Sequence, residues 1–171
     1  MTAGVLAGSQ LVEHVLSETG RRVRRTMLDA IPDGEPHAWL YRLMRSYPGR
    51  PGKAIRPSLC MVTCRAFGGA DHESQPVAAA IELLHNAFLV HDDIADASQQ
   101  RRRGPTLAAE YGDALALNAG DALAMVAYQL LRRHARGFGT ALADRLMDEF
   151  EAMALRTLEG QATELGWQRD N

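Results

Sequence analysis

The segment from Ile81 to Asp96 constrains this chain most, because its apolar and acidic residues fit one period. Advancing by about 100° per residue, as a helix does, lines up His85, Phe88, Asp92 and Asp96 within roughly 40° of Asp92. Leu83, Leu84, Leu89 and Val90 flank that stripe, so the helix is expected to be largely buried, and carboxylates carried inside a protein need a cation. Asp92 and Asp96, at i and i+4, project from one side, and Arg101-Arg102-Arg103 follows just past the expected helix end. Acids on one side and a triple positive charge beyond them suit a metal-bound polyphosphate. Magnesium is the natural ion, since one or two carboxylates with substrate phosphate and water complete its octahedron.

Composition extends the helical reading to the rest of the chain. There are 27 Ala and 21 Leu against 8 Val and 4 Ile, and unbranched side chains lose little rotamer freedom in a helix. The periodicity predicts helices over about 5–31, 37–46, 54–67, 75–97, 107–111, 114–135 and 140–165. They are separated by Pro32-Asp33-Gly34-Glu35-Pro36, Pro48-Gly49-Arg50-Pro51-Gly52, Gly68-Gly69-Ala70-Asp71 and Gly104-Pro105. The expectation is an all-α protein, one domain over 1–171, with enough apolar residues (46%) for a sizeable core.

A formal net charge of -2 argues against a nucleic-acid partner. No basic, apolar leader and no uncharged apolar stretch of about 18 residues is present, so the expected location is cytoplasmic, with no membrane span. Cys60 and Cys64 lack a partner cluster at zinc spacing and read as buried, reduced thiols. Trp39 and Trp167 read as packing residues, and the run Arg21, Arg22, Arg24, Arg25 as a solvated helix face rather than an anion site.

A second chemical feature is the loop Pro51-Gly52-Lys53-Ala54-Ile55-Arg56-Pro57. Lys53 is the only lysine among 19 basic side chains and stands at a helix start, with Arg56 one turn on. A glycine lets backbone approach an anion, and the helix N-terminus adds N–H donors and the positive end of a dipole.

Taken in order, Gly52-Lys53-x-x-Arg56-Pro57, Glu82-x-x-His85, Asp92-Asp93-x-x-Asp96 and Arg101-Arg102 before Pro105-Thr106 resemble the trans-isoprenyl diphosphate synthases, or polyprenyl synthetases. The likeness continues through Asn118-Ala119-Gly120-Asp121 and Gly160-Gln161. It implies an antiparallel helical bundle of the isoprenoid synthase type, of which this chain resembles the N-terminal half. It also implies a prenyltransferase that joins an allylic prenyl diphosphate to isopentenyl diphosphate with Mg2+, commonly as a homodimer. By the resemblance, Asp92 and Asp96 bind the ions, Asp93 supports them, and Arg101 holds the allylic diphosphate. Gly52, Lys53, Arg56, His85 and Arg102 match positions that bind isopentenyl diphosphate, and Gln161 matches a glutamine that reaches toward the cavity, near Glu164. Phe88, with Ala87 beside it, matches the floor that limits product length, here to about fifteen to twenty carbons. His91 points off the metal face, and Asp121 is either a residue near the site or a local partner of Asn118.

One departure concerns register. The family usually reads Arg-Arg-Gly where this chain has Arg101-Arg102-Arg103-Gly104, so a slip to Arg102 and Arg103 stays open beside Arg101 and Arg102. Another concerns length. The resembling proteins are about twice as long and carry a second aspartate-rich motif and further lysines, so the isolated chain is expected to lack condensing activity. The alternatives are a class I terpene cyclase, against which Lys53, Arg56 and His85 speak, and a non-catalytic subunit of a heteromeric synthase.

Overall fold

Helices dominate the computed structural model, which describes residues 8–170. The beginning of the first predicted helix, at Val5, lies outside the described residues. In chain order come α1 (Gly8–Ala30), a π-helical turn (His37–Tyr41) that runs into α2 (Arg42–Gly49), α3 (Ile55–Ala66) and α4 (Asp71–Ala95). A small hairpin of β1 (Gln100–Arg101) and β2 (Gly104–Pro105) precedes α5 (Leu107–Tyr111), α6 (Asp113–Ala135), a 3-10 turn (Arg136–Phe138) and α7 (Thr140–Asp170).

The chain divides into two compact units, one ending at Leu130 and the other beginning at Leu131. In the first, α1, α3 and α4 pack on one another, α2 touches α1 and α4, and α5 touches α4. Its core holds Val23, Leu43, Met61, Leu83, Leu84 and Val90, all but removed from solvent. That matches the expectation that the apolar flanks of the acidic helix face inward. In the second unit, Phe150 and Ala154 of α7 are buried.

Five local expectations are corrected. The helix predicted from 75 begins at Asp71, because the Glu73 carboxylate accepts the Ala70 N–H (2.7 Å) and Asp71 is clamped by Arg22 and Arg65. Those guanidiniums, Arg65 foremost, hold the Asp71 carboxyl well below the usual carboxylate range. The helix predicted to end at Ser46 continues through Pro48 to Gly49, since Tyr47 and Pro48 are buried and hold the last turn closed despite the missing proline donor. Between Gln100 and Pro105, where only a break was expected, two short strands pair antiparallel with Arg101 opposite Gly104. Trp39 and Trp167 are 62% and 67% exposed, so neither is a core residue, and Cys60 and Cys64 are half-buried free thiols rather than buried ones.

One helical stretch, Asp113–Phe138, reaches a mean hydropathy of 1.3 and is long and apolar enough to cross a membrane by length and composition; 39% of that window is buried. Asp121 interrupts it, 3.3 Å from His91 Nε2. The two groups approach without hydrogen-bond geometry. His91 packs flat against Gly120, where a Cβ would come within 2.5 Å of its ring. Asp121 therefore answers to His91 across the α4–α6 contact.

Candidate functional site

The acidic motif occupies the last turn of α4 and its cap. Asp96 lies one residue past the helix, yet its backbone stays right-handed (φ -86, ψ -1) and its N–H reaches the Asp92 carbonyl at 2.8 Å. This keeps its Cβ on the side from which Asp92 projects. Asp92 is half-buried and Asp96 exposed.

Asp93 points the other way, into the protein, with 1% exposure. One of its oxygens accepts a short hydrogen bond from the Tyr47 hydroxyl, and the other accepts Nε (2.9 Å) and Nη2 (2.6 Å) of Arg101. Tyr47 is fully buried, and its oxygen also accepts the Leu107 N–H at 3.3 Å. Burial, reinforced by the Asp93 carboxylate, pushes the Tyr47 phenol far above its ordinary range. The cation that a buried carboxylate requires is thus supplied within the chain, by Arg101 to Asp93. Asp96 is exposed, and Asp92, half-buried, also faces the charge of Arg101.

The hairpin sorts the three arginines. Arg102 and Arg103 have φ of 50° and 65°, the positive pair that a type I′ two-residue turn demands. Arg101 consequently lies on the aspartate side, whereas Arg102 and Arg103 line a cavity on the other. A left-handed backbone at Arg103 is what a glycine would adopt freely. Arg50 staples the hairpin to α2: it donates to the Arg101 carbonyl (2.8 Å) and to Ser46 Oγ (3.0 Å), and its guanidinium lies 5.0 Å from the centre of the Tyr47 ring. Gly104 gives this guanidinium room, since a Cβ there would come 3.1 Å from its carbon and push it aside by a few tenths of an ångström. Ser46, Tyr47 and Arg50 were not among the residues expected from the sequence. Proline and glycine at positions 48 and 49 disguised their helical turn as loop.

The cavity beside the hairpin has a volume of about 540 Å³ and is lined by Gly52, Lys53, Arg56, Glu82, His85, Arg102 and Arg103, among others. All five residues expected to bind isopentenyl diphosphate therefore meet on one wall system, drawn from the loop before α3, from α3, from α4 and from the hairpin. Arg56 Nη1 lies 3.2 Å from His85 Nε2. Burial first, and the neighbouring Arg56 next, lower the His85 imidazole to about 4, so the ring is neutral and Nε2 accepts from the guanidinium. Glu82, also buried, is pushed above its ordinary range by desolvation.

Arg102 is held loosely. Its contacts are the Tyr47 carbonyl and Asn86 Oδ1, both at 3.4 Å, and Glu82 Oε1 at 3.8 Å, all at the long limit of polar interaction. Burial lowers its pKa, and Arg101, Arg24 and Arg50 add repulsion. Gly52 makes room for it, since a Cβ there would come 3.2 Å from its guanidinium carbon. A half-buried guanidinium with slack partners is prepared to accept an anion.

The remaining expected residues stand as follows. Ala87 is fully buried and Phe88 half-buried, one turn before Asp92; Gln161, half-buried, belongs to α7 in the second unit. No group of three or more His, Cys, Asp or Glu side chains able to hold a metal ion occurs among the described residues.

Residues 37–171 match the polyprenyl synthetase family. The chain belongs to that family. Among curated relatives, the (2E,6E)-farnesyl diphosphate synthase of Mycobacterium tuberculosis is 48% identical over 88 residues, which is 48% of this chain and 24% of the relative. The short chain isoprenyl diphosphate synthase of Methanothermobacter thermautotrophicus is 33% identical over 147 residues, 86% of this chain and 43% of the relative. Among solved structures, the geranylgeranyl pyrophosphate synthetase of Pyrococcus horikoshii superposes with a TM-score of 0.83 at 28% identity, over 94% of this chain and 48% of that one. An FPP/GFPP synthase of Zymomonas mobilis gives 0.81 at 26% identity, covering 92% of this chain and 59% of that one. This polyprenyl synthetase chain thus has the isoprenoid synthase helical fold, and it spans less than half the length of the curated relatives compared.

Proposed function

We propose that this chain carries the isopentenyl diphosphate pocket and the first metal-binding motif of a short-chain prenyl diphosphate synthase. The observation that carries the reading is the convergence of Gly52, Lys53, Arg56, His85 and Arg102 on one cavity. The relatives named as farnesyl and geranylgeranyl synthases support the same class.

In the reaction proposed, the allylic carbon–oxygen bond breaks and its electron pair leaves with diphosphate. The double bond of isopentenyl diphosphate then attacks the allylic carbon, a carbon–carbon bond forms, and a proton is lost to the released diphosphate. Lys53, Arg56 and Arg102 anchor the isopentenyl diphosphate by its head group. Neutral His85 adds a polar contact without adding charge, and Arg101, aimed by Asp93 and Tyr47, faces the allylic diphosphate. Asp92 and Asp96 fit Mg2+ as hard oxygen donors one turn apart, and Asp93, already engaged, does not compete for it. Bound there, Mg2+ would offset negative charge gathering on the leaving diphosphate. A terpene cyclase is disfavoured, since it has no use for the Lys53 pocket.

Titration separates the two substrates by their need for metal. Isopentenyl diphosphate should bind this chain with or without Mg2+, because arginines and a lysine hold it, whereas geranyl diphosphate should bind only when Mg2+ is present. Calorimetry that finds equal metal dependence for both, or no binding of either at millimolar concentration, would overturn the reading. Phe88 is assigned as the floor beneath the growing chain. In the active synthase carrying this sequence, Phe88→Ala should shift products to longer prenyl diphosphates, and an unchanged product profile would remove Phe88 from that role.

A further inference from the structure

The arginine run on α1 divides into two pairs with different surroundings. Arg22 is held by Asp71 and by the Gln75 carbonyl oxygen (3.0 and 2.8 Å), and Arg25 lies 4.0 Å from Asp29. Arg21 donates to the Ser17 hydroxyl at 2.7 Å, and neither Arg21 nor Arg24 forms an ion pair among the described residues. Arg22 is engaged by partners on α4, Arg25 only by an exposed neighbour one turn on, and Arg21 and Arg24 share one side of the helix without an ion pair among the described residues.

Those two, at i and i+3, line a second cavity of about 450 Å³ together with Ser17, Gly20, Gly52 and Lys53. Gly20 lets the loop come this close, since a Cβ on it would meet the Ala54 Cβ at 3.0 Å. Gly52 and Lys53 belong to both cavities, and behind Gly52 a crevice of about 20 Å³ is lined by Arg24 and Arg102, whose charges repel. Three cations therefore face one acid, Glu13, around a space that a phosphorylated group can enter. An anion placed between Arg21, Arg24 and Lys53 relieves their mutual repulsion and gains charge-assisted hydrogen bonds.

We propose that the α1 cavity is a further diphosphate-binding site, independent of Mg2+, weaker than the Lys53–Arg56 pocket and linked to it through Lys53. This deepens the assignment of the Lys53 pocket and rests on it. The shared chemistry is a diphosphate anion, carried either by a prenyl substrate or by the free inorganic product.

The test is calorimetric titration of inorganic diphosphate into the chain. Two binding events are expected. The paired substitution R21Q/R24Q should abolish the weaker event and leave the tighter one within about twofold; R56Q should weaken the tighter event by roughly tenfold or more and spare the weaker; K53Q should weaken both. A single event in the unsubstituted chain, or two events indifferent to R21Q/R24Q, overturns the second site while leaving the first intact. A tighter event indifferent to R56Q overturns the first assignment instead. The paired R21K/R24K form, which keeps the charge, should recover the weaker event; failure to recover it when thermal unfolding is unchanged also counts against the site. Isopentenyl diphosphate competing for both events identifies a substrate head group as the occupant, and competition at the tighter one alone identifies the inorganic product.

Discussion

Asp93→Ala should lower the thermal unfolding midpoint by roughly 6–20 °C, the equivalent of about 3–5 kcal/mol for breaking a buried ion pair in a chain of this size. The size of the effect follows from what the carboxylate holds. Its removal strands the Tyr47 hydroxyl in the core, releases the Nε and Nη2 hydrogen bonds of Arg101, and loosens the hairpin from α2. Asp96→Ala, by contrast, changes an exposed capping residue and should move the midpoint by less than about 2 °C. Differential scanning calorimetry of the two variants separates the roles. If Asp96→Ala proved the costlier change, Asp93 could not be the residue that fixes the motif, and the division of three aspartates into one internal anchor and two outward donors would fail.

The second large effect is expected on binding with little effect on folding. Arg102→Gln should weaken isopentenyl diphosphate by roughly ten- to a hundredfold, the usual yield of one charge-assisted contact to a diphosphate. Because the folded protein holds Arg102 only through contacts of 3.4 to 3.8 Å and against three like charges, the unfolding midpoint should stay within about 2–4 °C. Arg56 also lies close enough to Glu82 to act on it electrostatically when Arg102 is removed. Affinity and midpoint measured on the same preparation decide the matter. A parallel fall in both would make Arg102 a structural residue.

Much of this was legible in the sequence because it rested on period and order. The acidic helix and the shared face of Asp92 and Asp96 follow from residues whose spacing fixes their direction, whereas the grouping of Gly52, Lys53, Arg56, His85 and Arg102 came from the resemblance to the family. What was not legible depends on long-range partners. Nothing around Tyr47 announces that its hydroxyl will meet Asp93, 46 residues away, or that Arg50 will reach the Arg101 carbonyl across 51. The proline and glycine after Tyr47 pointed to a loop, and tertiary burial overrode them. Register of the three arginines was legible in part, since an ungapped match through Pro105-Thr106 favours Arg101 and Arg102 while a one-residue slip stayed open. The positive φ at Arg103 favours Arg101 and Arg102 as the counterparts of the family pair, since Arg103 then occupies the place of the glycine.

That tip has a further meaning. Two bulky, charged residues are bent there into a left-handed conformation that costs an L-amino acid about 1–2 kcal/mol each, and a glycine at either place would relax that residue alone. A molecule tuned for durability alone would not choose this. The discomfort sits at the rim of the Lys53 cavity, where both guanidiniums add positive potential, and the rest of the scaffold must be sturdy enough to keep the bend from unwinding.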